Sequence, residues 1–119
     1  MRIVDLKTGA SKPTLDEVRR HGQLGAYQLA VEEGAFTQHG NRSGGAALLQ
    51  LGRAAAAKST SLQLQQPLEL DDEPAWAREL VEEVAVGMSG AVFAATPGAQ
   101  CGTCQVKDSC PAYAEGRRL

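Results

Sequence analysis

Two apolar runs with a long amphipathic stretch between them set the terms on which this chain folds. "RIVDLKT" (2–8) alternates apolar and charged side chains with the period of two of a strand, and "GAALLQLG" (45–52) is a nearly continuous aliphatic run of the kind covered on both faces. Between them a polar connector, "ASKP", leads to Thr14, with Glu17 three residues on, the spacing of a capping box that opens a helix. The pattern predicts a helix over about 15–33 that Gly34 ends, with Leu15, Val18, Ala26 and Leu29 as its apolar stripe and Gly22 and Gly25 on the same side. Each helix-interior glycine costs on the order of 1 kcal/mol relative to alanine, which another backbone approaching closely would justify, and a sheet beneath is the expected neighbour. A strand, a helix and a second strand in that order imply a right-handed crossover and parallel pairing of the two strands.

"STSLQLQQ" (59–66) alternates Leu62 and Leu64 against glutamines, so a half-exposed third strand is expected to pair antiparallel with its predecessor. The intervening "RAAAAK" (53–58) suits either a turn or a short helical piece. Acidic "ELDDEP" (69–74) precedes a second helix over about 75–90, with Trp76, Leu80, Val84 and Met88 four apart as a core stripe. The expected fold is therefore α/β: a mixed sheet of about three strands with two main helices, then a cysteine-rich C-terminal tail. The 119 residues are 43% hydrophobic but hold only five aromatics, so a single modest core is aliphatic. The organisation expected is a core over 1–95 and a tail over 96–119.

Twelve basic against 14 acidic residues give a net charge of −2, which excludes the strong overall positive field many nucleic-acid binders use. Any DNA contact must be local. No apolar run approaches the roughly 18 residues that span a bilayer, and the N-terminus lacks the pattern of a signal peptide, so the expectation is a cytoplasmic protein without a membrane partner.

Two motifs carry chemistry. Asp5 and Lys7 share one face of the first strand while Val4 and Leu6 share the other; the ordinary reading of such a pair is a solvated strand face. In the tail, "CGTCQVKDSCP" places Cys101, Cys104 and Cys110 in a C-x2-C-x5-C-P arrangement, and C-x2-C spacing lets two thiolates meet one metal or cluster iron. Three ligands are one short of the usual four, and neither His21 nor His39 is close in sequence. The odd count weighs against a disulfide framework.

Asp5-Leu6-Lys7 at a strand end, Gln23 to Tyr27 on the following helix, and the cysteine tail occur in an order that resembles the C-terminal part of RecB-like PD-(D/E)XK nucleases. "VDLKTG", "RRHGQLGAYQLAV" and "ATPGAQCGTC" are most similar to the nuclease modules at the C-terminus of actinobacterial UvrD-like helicases of the AdnAB type, which resect double-strand breaks. The resemblance implies that Asp5 binds a catalytic Mg²⁺ or Mn²⁺ with the Leu6 carbonyl as a further oxygen ligand, and that Lys7 orients the attacking water or stabilises charge at the phosphate. It implies DNA-phosphate contact and support of the catalytic strand for Gln23 and Tyr27, with Arg19 extending that surface, and a structural [4Fe-4S] cluster on Cys101, Cys104 and Cys110, zinc being the alternative. DNA, the helicase motor of the parent and a second helicase-nuclease subunit are the partners it implies.

The chain departs from that pattern in lacking the acidic ligand on a preceding strand, the acid or histidine on an upstream helix, and the first cluster cysteine. The expectation is an N-terminally truncated module, inactive alone, from a Mg- or Mn-dependent exonuclease fused to an ATP-dependent helicase. Its open sheet edge is expected to promote self-association. Two other classes fit the residues: a catalytically inactive nuclease-like DNA-binding or scaffold module, and a small zinc-ribbon protein for which the cysteines alone are the site.

Overall fold

The computed structural model describes residues 1–9, 11–51, 60–92 and 94–113. A strand β1 (Ile3–Lys7) leads through α1 (Leu15–Arg19) and α2 (Gly22–Glu32) to β2 (Ala46–Leu51), β3 (Thr60–Gln65) and α3 (Trp76–Ser89). The sheet order is β1-β2-β3, with β1 and β2 parallel and β2 and β3 antiparallel, as the sequence predicts. The "RAAAAK" segment lies outside the described residues. Among the described residues no helix is long and apolar enough to cross a membrane. By contacts the chain divides into two units, Met1–Val84 and Ala85–Leu119.

The capping box forms as read: the Glu17 amide donates to Thr14 Oγ1 at 3.2 Å and the Thr14 amide donates to Glu17 Oε2 at 2.7 Å. The Thr14 backbone amide foremost, with the Thr14 hydroxyl that donates to Glu17 Oε2 at 2.9 Å, holds the Glu17 carboxyl below its ordinary range. Thr14→Ala is expected to cost about 1 kcal/mol of stability in urea denaturation, the usual loss of a helix N-cap. At the other end Gly34 adopts φ +84°, the Gly34 amide donates to Val31 O and the Ala35 amide to Ala30 O, a Schellman ending that favours glycine at this position.

The single helix predicted over 15–33 is two helices. The chain breaks at Arg20 and His21, where Gln65 Nε2 lies 2.9 Å from Val18 O and 3.3 Å from both Arg19 O and His21 O. A buried amide that serves freed carbonyls makes the corner affordable, because helix-end carbonyls otherwise go unsatisfied. The break also changes the stripe. Leu15 is exposed, and α2 instead buries Leu24, Gly25, Gln28, Leu29 and Val31. The glycines are explained by α3 rather than by the sheet: a Cβ on Gly22 would stand 2.9 Å from Leu80 Cδ2, and one on Gly25 would enter the Trp76 ring. Gly25→Ala is accordingly expected to destabilise by about 1–3 kcal/mol through overpacking, read as a lowered urea midpoint. The α3 stripe packs only at its start, since Ala77 is its one buried residue while Val84 and Met88 are exposed.

The larger correction concerns the sheet. Gln63 and Gln65 are buried while Leu62 and Leu64 are exposed, and Val4 and Leu6 are exposed while Asp5 and Lys7 are half-buried. The face that meets α1 and α2 is therefore the amide-bearing one. Gln50 Nε2 donates to Gly9 O, Gln63 Nε2 donates to Pro13 O at 2.9 Å, and Gln65 serves the α1 corner, so each buried amide answers a backbone carbonyl of the crossover. The aliphatic part of this layer is Val18, Leu24, Ala46 and Leu48, with Tyr27 packed against it.

Arg20 clamps the corner from outside, its Nη2 2.9 Å from Asp71 Oδ1 and its Nη1 2.7 Å from Glu73 Oε2. The Glu73 backbone amide foremost, with Arg20, holds the Asp71 carboxyl below its ordinary value. A carboxyl depressed in the folded state stabilises above its unfolded pKa of about 3.9, and that contribution is lost as pH falls through the folded value. In a carboxyl ¹³C titration, Arg20→Gln is expected to raise the Asp71 midpoint, and an unchanged midpoint would show that the guanidinium contributes nothing.

Candidate active site

The sequence spacing puts Asp5 and Lys7 on one face of β1, and the structure turns that face toward α2. Lys7 Nζ lies 2.9 Å from Asp5 Oδ2 and donates to Gln23 Oε1 at 2.7 Å; Gln23 Nε2 donates to the Tyr27 hydroxyl at 2.8 Å. The four side chains thus form one polar line from strand to helix. Its direction is fixed by chemistry: an ammonium only donates, so the Gln23 carbonyl must face Lys7 and its NH₂ must face Tyr27. Tyr27 accepts this bond, which leaves its own proton without an acceptor among the described residues.

Asp5 is the inner end of the line, its side chain 15% exposed against 37% for Lys7. The Lys7 ammonium is close to Oδ2 yet off the hydrogen-bond direction, and this buried oxygen has no aligned donor. A buried carboxylate oxygen with a free lone pair suits a hard cation. Leu6, between the two charged residues, sits in register with Leu49 on a strand that pairs only with β2 among the described residues. Among the described residues no group of three or more His, Cys, Asp or Glu side chains stands close enough to hold a metal ion.

Around the line, Arg19 is exposed at the end of α1 and lines a cleft of about 280 Å³ with Asp16 and Arg20. Arg20 is engaged by Asp71 and Glu73, whereas no ion pair of Arg19 is among the described ones. Gln23 also walls an apolar groove of about 300 Å³ with Gly22, Ala26, Leu80, Val81 and Val84. Sequence reasoning missed Gln50, Gln63 and Gln65, whose amides tie the β1–α1 connector and the helix corner to the sheet; the regular alternation of Gln63 and Gln65 on the third strand was the available signal for those two.

A family model of the PD-(D/E)XK nuclease superfamily matches residues 1–111. The chain belongs to the PD-(D/E)XK nuclease superfamily. No curated protein matches it. Nucleases of this superfamily generally use divalent metals such as Mg²⁺, and a domain of this kind binds DNA. Asp5 Oδ2, ion-paired with Lys7 but without an aligned hydrogen-bond donor, fits one ligand position for such an ion, and membership leaves no place for a zinc ribbon unrelated to nucleases.

In the second unit Cys101, Cys104 and Cys110 are free thiols on a succession of tight turns. The Gly98 amide donates to Cys101 Sγ at 3.2 Å; this bond foremost, with the Tyr113 hydroxyl and the nearby Lys107, lowers the Cys101 pKa. Lys107 Nζ stands 5.2 Å from the centroid of the Tyr113 ring. The Tyr113 hydroxyl is pushed up in turn by its bond to Cys101.

Proposed function

We propose that this chain is the catalytic-strand part of a RecB-like, metal-dependent DNA nuclease that works within an AdnAB-type helicase-nuclease in double-strand break resection. The observation that carries the reading is the Asp5–Lys7–Gln23–Tyr27 line, which joins Asp5 and Lys7 of the strand to Gln23 and Tyr27 of the helix. Asp5 Oδ2 and the Leu6 carbonyl are oxygen ligands for Mg²⁺ or Mn²⁺. A divalent ion bound there supplies Lewis-acid activation of water and phosphate. One side-chain carboxylate is fewer than such an ion takes, so the remaining ligands are water, the DNA phosphate and carboxylates beyond the described residues.

Lys7 is held between Asp5 and Gln23 so that its ammonium faces the scissile phosphate, where it orients water and stabilises the charge that develops on oxygen. Gln23 keeps Lys7 in place and Tyr27 offers its free proton to a phosphate oxygen; Arg19 adds a backbone contact farther along the strand. The three cysteines hold a structural [4Fe-4S] cluster with a fourth ligand from elsewhere, and the helicase motor and a second helicase-nuclease subunit are the protein partners. An inactive DNA-binding or scaffold module is the competing reading, which the lone carboxylate favours.

Mn²⁺ titration of the ¹⁵N-labelled 119-residue chain tests the site directly. The amide signals of Asp5 and Leu6 are expected to broaden first, and the effect to vanish in Asp5→Ala. Broadening centred elsewhere would remove the metal assignment. DNA cleavage by the native protein, with its wild-type carboxylates, separates the nuclease from the scaffold.

A further inference from the structure

We infer that Gln50 is a positioning residue for Lys7: its side-chain amide ties down the chain just beyond the end of β1 and so fixes where the ammonium stands. Its part in catalysis rests on the nuclease reading; its hold on Lys7 does not. Lys7 is the last residue of β1, and its register partner on β2 is Gln50. Partners in a ladder carry their side chains on the same face of the sheet, here the face that meets α1 and α2. Gln50 is 6% exposed, and its Nε2 donates to the carbonyl of Gly9, just past Lys7 in the chain.

Burial alone does not call for this bond. Gly9 is an exposed residue, where water ordinarily serves the backbone, whereas the amide that reaches it has been taken out of water. Position does call for it. Among the described residues β1 pairs only with β2, so Lys7 has a ladder on one side and a strand end beyond it, the kind of place where a structure opens first. The Lys7 ammonium is set at two points, 2.9 Å from Asp5 Oδ2 and 2.7 Å from Gln23 Oε1, and both contacts require the backbone of residue 7 to stay where it is. Gln63 supplies the comparison. It is buried in the same layer and its Nε2 donates at 2.9 Å to Pro13 O, at the far end of the same connector and beside the Thr14 cap rather than beside Lys7. Two amides of one kind thus hold the two ends of the connector, and only that of Gln50 stands next to the charged pair.

The test compares Gln50→Leu with Gln63→Leu, each of which removes one buried amide, and reads the ¹⁵N-labelled Lys7 ammonium of the 119-residue chain. In Gln50→Leu its protons are expected to exchange about tenfold faster, the local stability that one hydrogen bond supplies, while Gln63→Leu leaves them unchanged. In the native protein Gln50→Leu is expected to lower the single-turnover cleavage rate at saturating DNA and metal by about ten- to a hundredfold with KM unchanged, because a misplaced catalytic group loses rate rather than binding. Should Gln50→Leu fail to fold, Gln50→Glu carries the same comparison, since its ionised carboxylate has the same reach and no proton to donate. An unchanged Lys7 signal in a folded Gln50 variant would overturn the inference, as would a signal moved equally by Gln63→Leu. Cleavage undiminished in Gln50→Leu would overturn the part in catalysis. A Lys7 signal that moves in Gln50→Leu alone, in a protein whose native form cuts no DNA, would uphold the hold on Lys7 and remove the nuclease reading instead.

Discussion

On the proposed nuclease reading, Asp5→Ala is expected to abolish Mg²⁺- or Mn²⁺-dependent DNA cleavage by the native protein, with a rate loss of roughly a hundredfold or more. Among the described residues Asp5 Oδ2 is the buried carboxylate oxygen without an aligned hydrogen-bond donor, so the substitution takes away the proposed metal ligand and leaves the Lys7 ammonium, 2.9 Å away, without its counter-charge. Lys7→Ala is expected to cost as much by a different route. Its ammonium bridges Asp5 and Gln23, and without it the carboxylate and the Gln23 carbonyl lose the cation that spaces them as well as the donor aimed at the phosphate. Single-turnover cleavage of end-labelled DNA at saturating metal, beside a denaturation curve for each variant, checks both. Undiminished cleavage by folded Lys7→Ala would sink its catalytic assignment. Tyr27→Phe, which removes only the terminal hydroxyl of the line, should cost less than either.

Gln28→Leu is the substitution with the largest expected effect on stability, about 3 kcal/mol from urea denaturation, although leucine matches the volume and is nominally better suited to a buried helix face. Gln28 is fully buried and uses both ends of its amide. Its Nε2 donates to Gln65 Oε1 at 2.9 Å and Gln66 O at 3.0 Å, and its Oε1 accepts from Ser43 Oγ at 2.8 Å and the Leu68 amide at 3.2 Å. Leucine would strand a buried hydroxyl and a backbone N–H, and would release the Gln65 amide that serves the carbonyls of the α1 corner. Each buried group left without a partner costs about 1–3 kcal/mol. Because α2 also carries Gln23 and Tyr27, the variant should weaken the Lys7–Gln23 contact, visible as faster exchange of the Lys7 and Gln23 side-chain protons. A loss below 1 kcal/mol would mean that water replaces Gln28 without cost.

Short-range chemistry was written in the sequence. The order of strands and helices, the Thr14 capping box, the glycine ending at Gly34 and the directions of strand pairing all follow from contacts a few residues apart or from the rule that joins strand, helix and strand. The spacing of four likewise puts Gln23 and Tyr27 within reach of each other on α2, and their bond is there. Alternation fixed which residues share a face of β1 and β3. It could not fix which face turns inward, because hydropathy treats a glutamine as a residue for water, whereas a buried glutamine is stable once distant carbonyls accept its protons. Gln63 to Pro13 and Gln65 to Val18 are separated by 50 and 47 residues, and only the packed structure brings them together. The same non-local bonds break the helix at Arg20, turn Asp5 and Lys7 toward α2, and let Lys7 reach Gln23 across 16 residues. The sequence by itself therefore determined the elements and the pairs Asp5–Lys7 and Gln23–Tyr27; tertiary structure decided the sign of the sheet and, with it, that these two pairs meet.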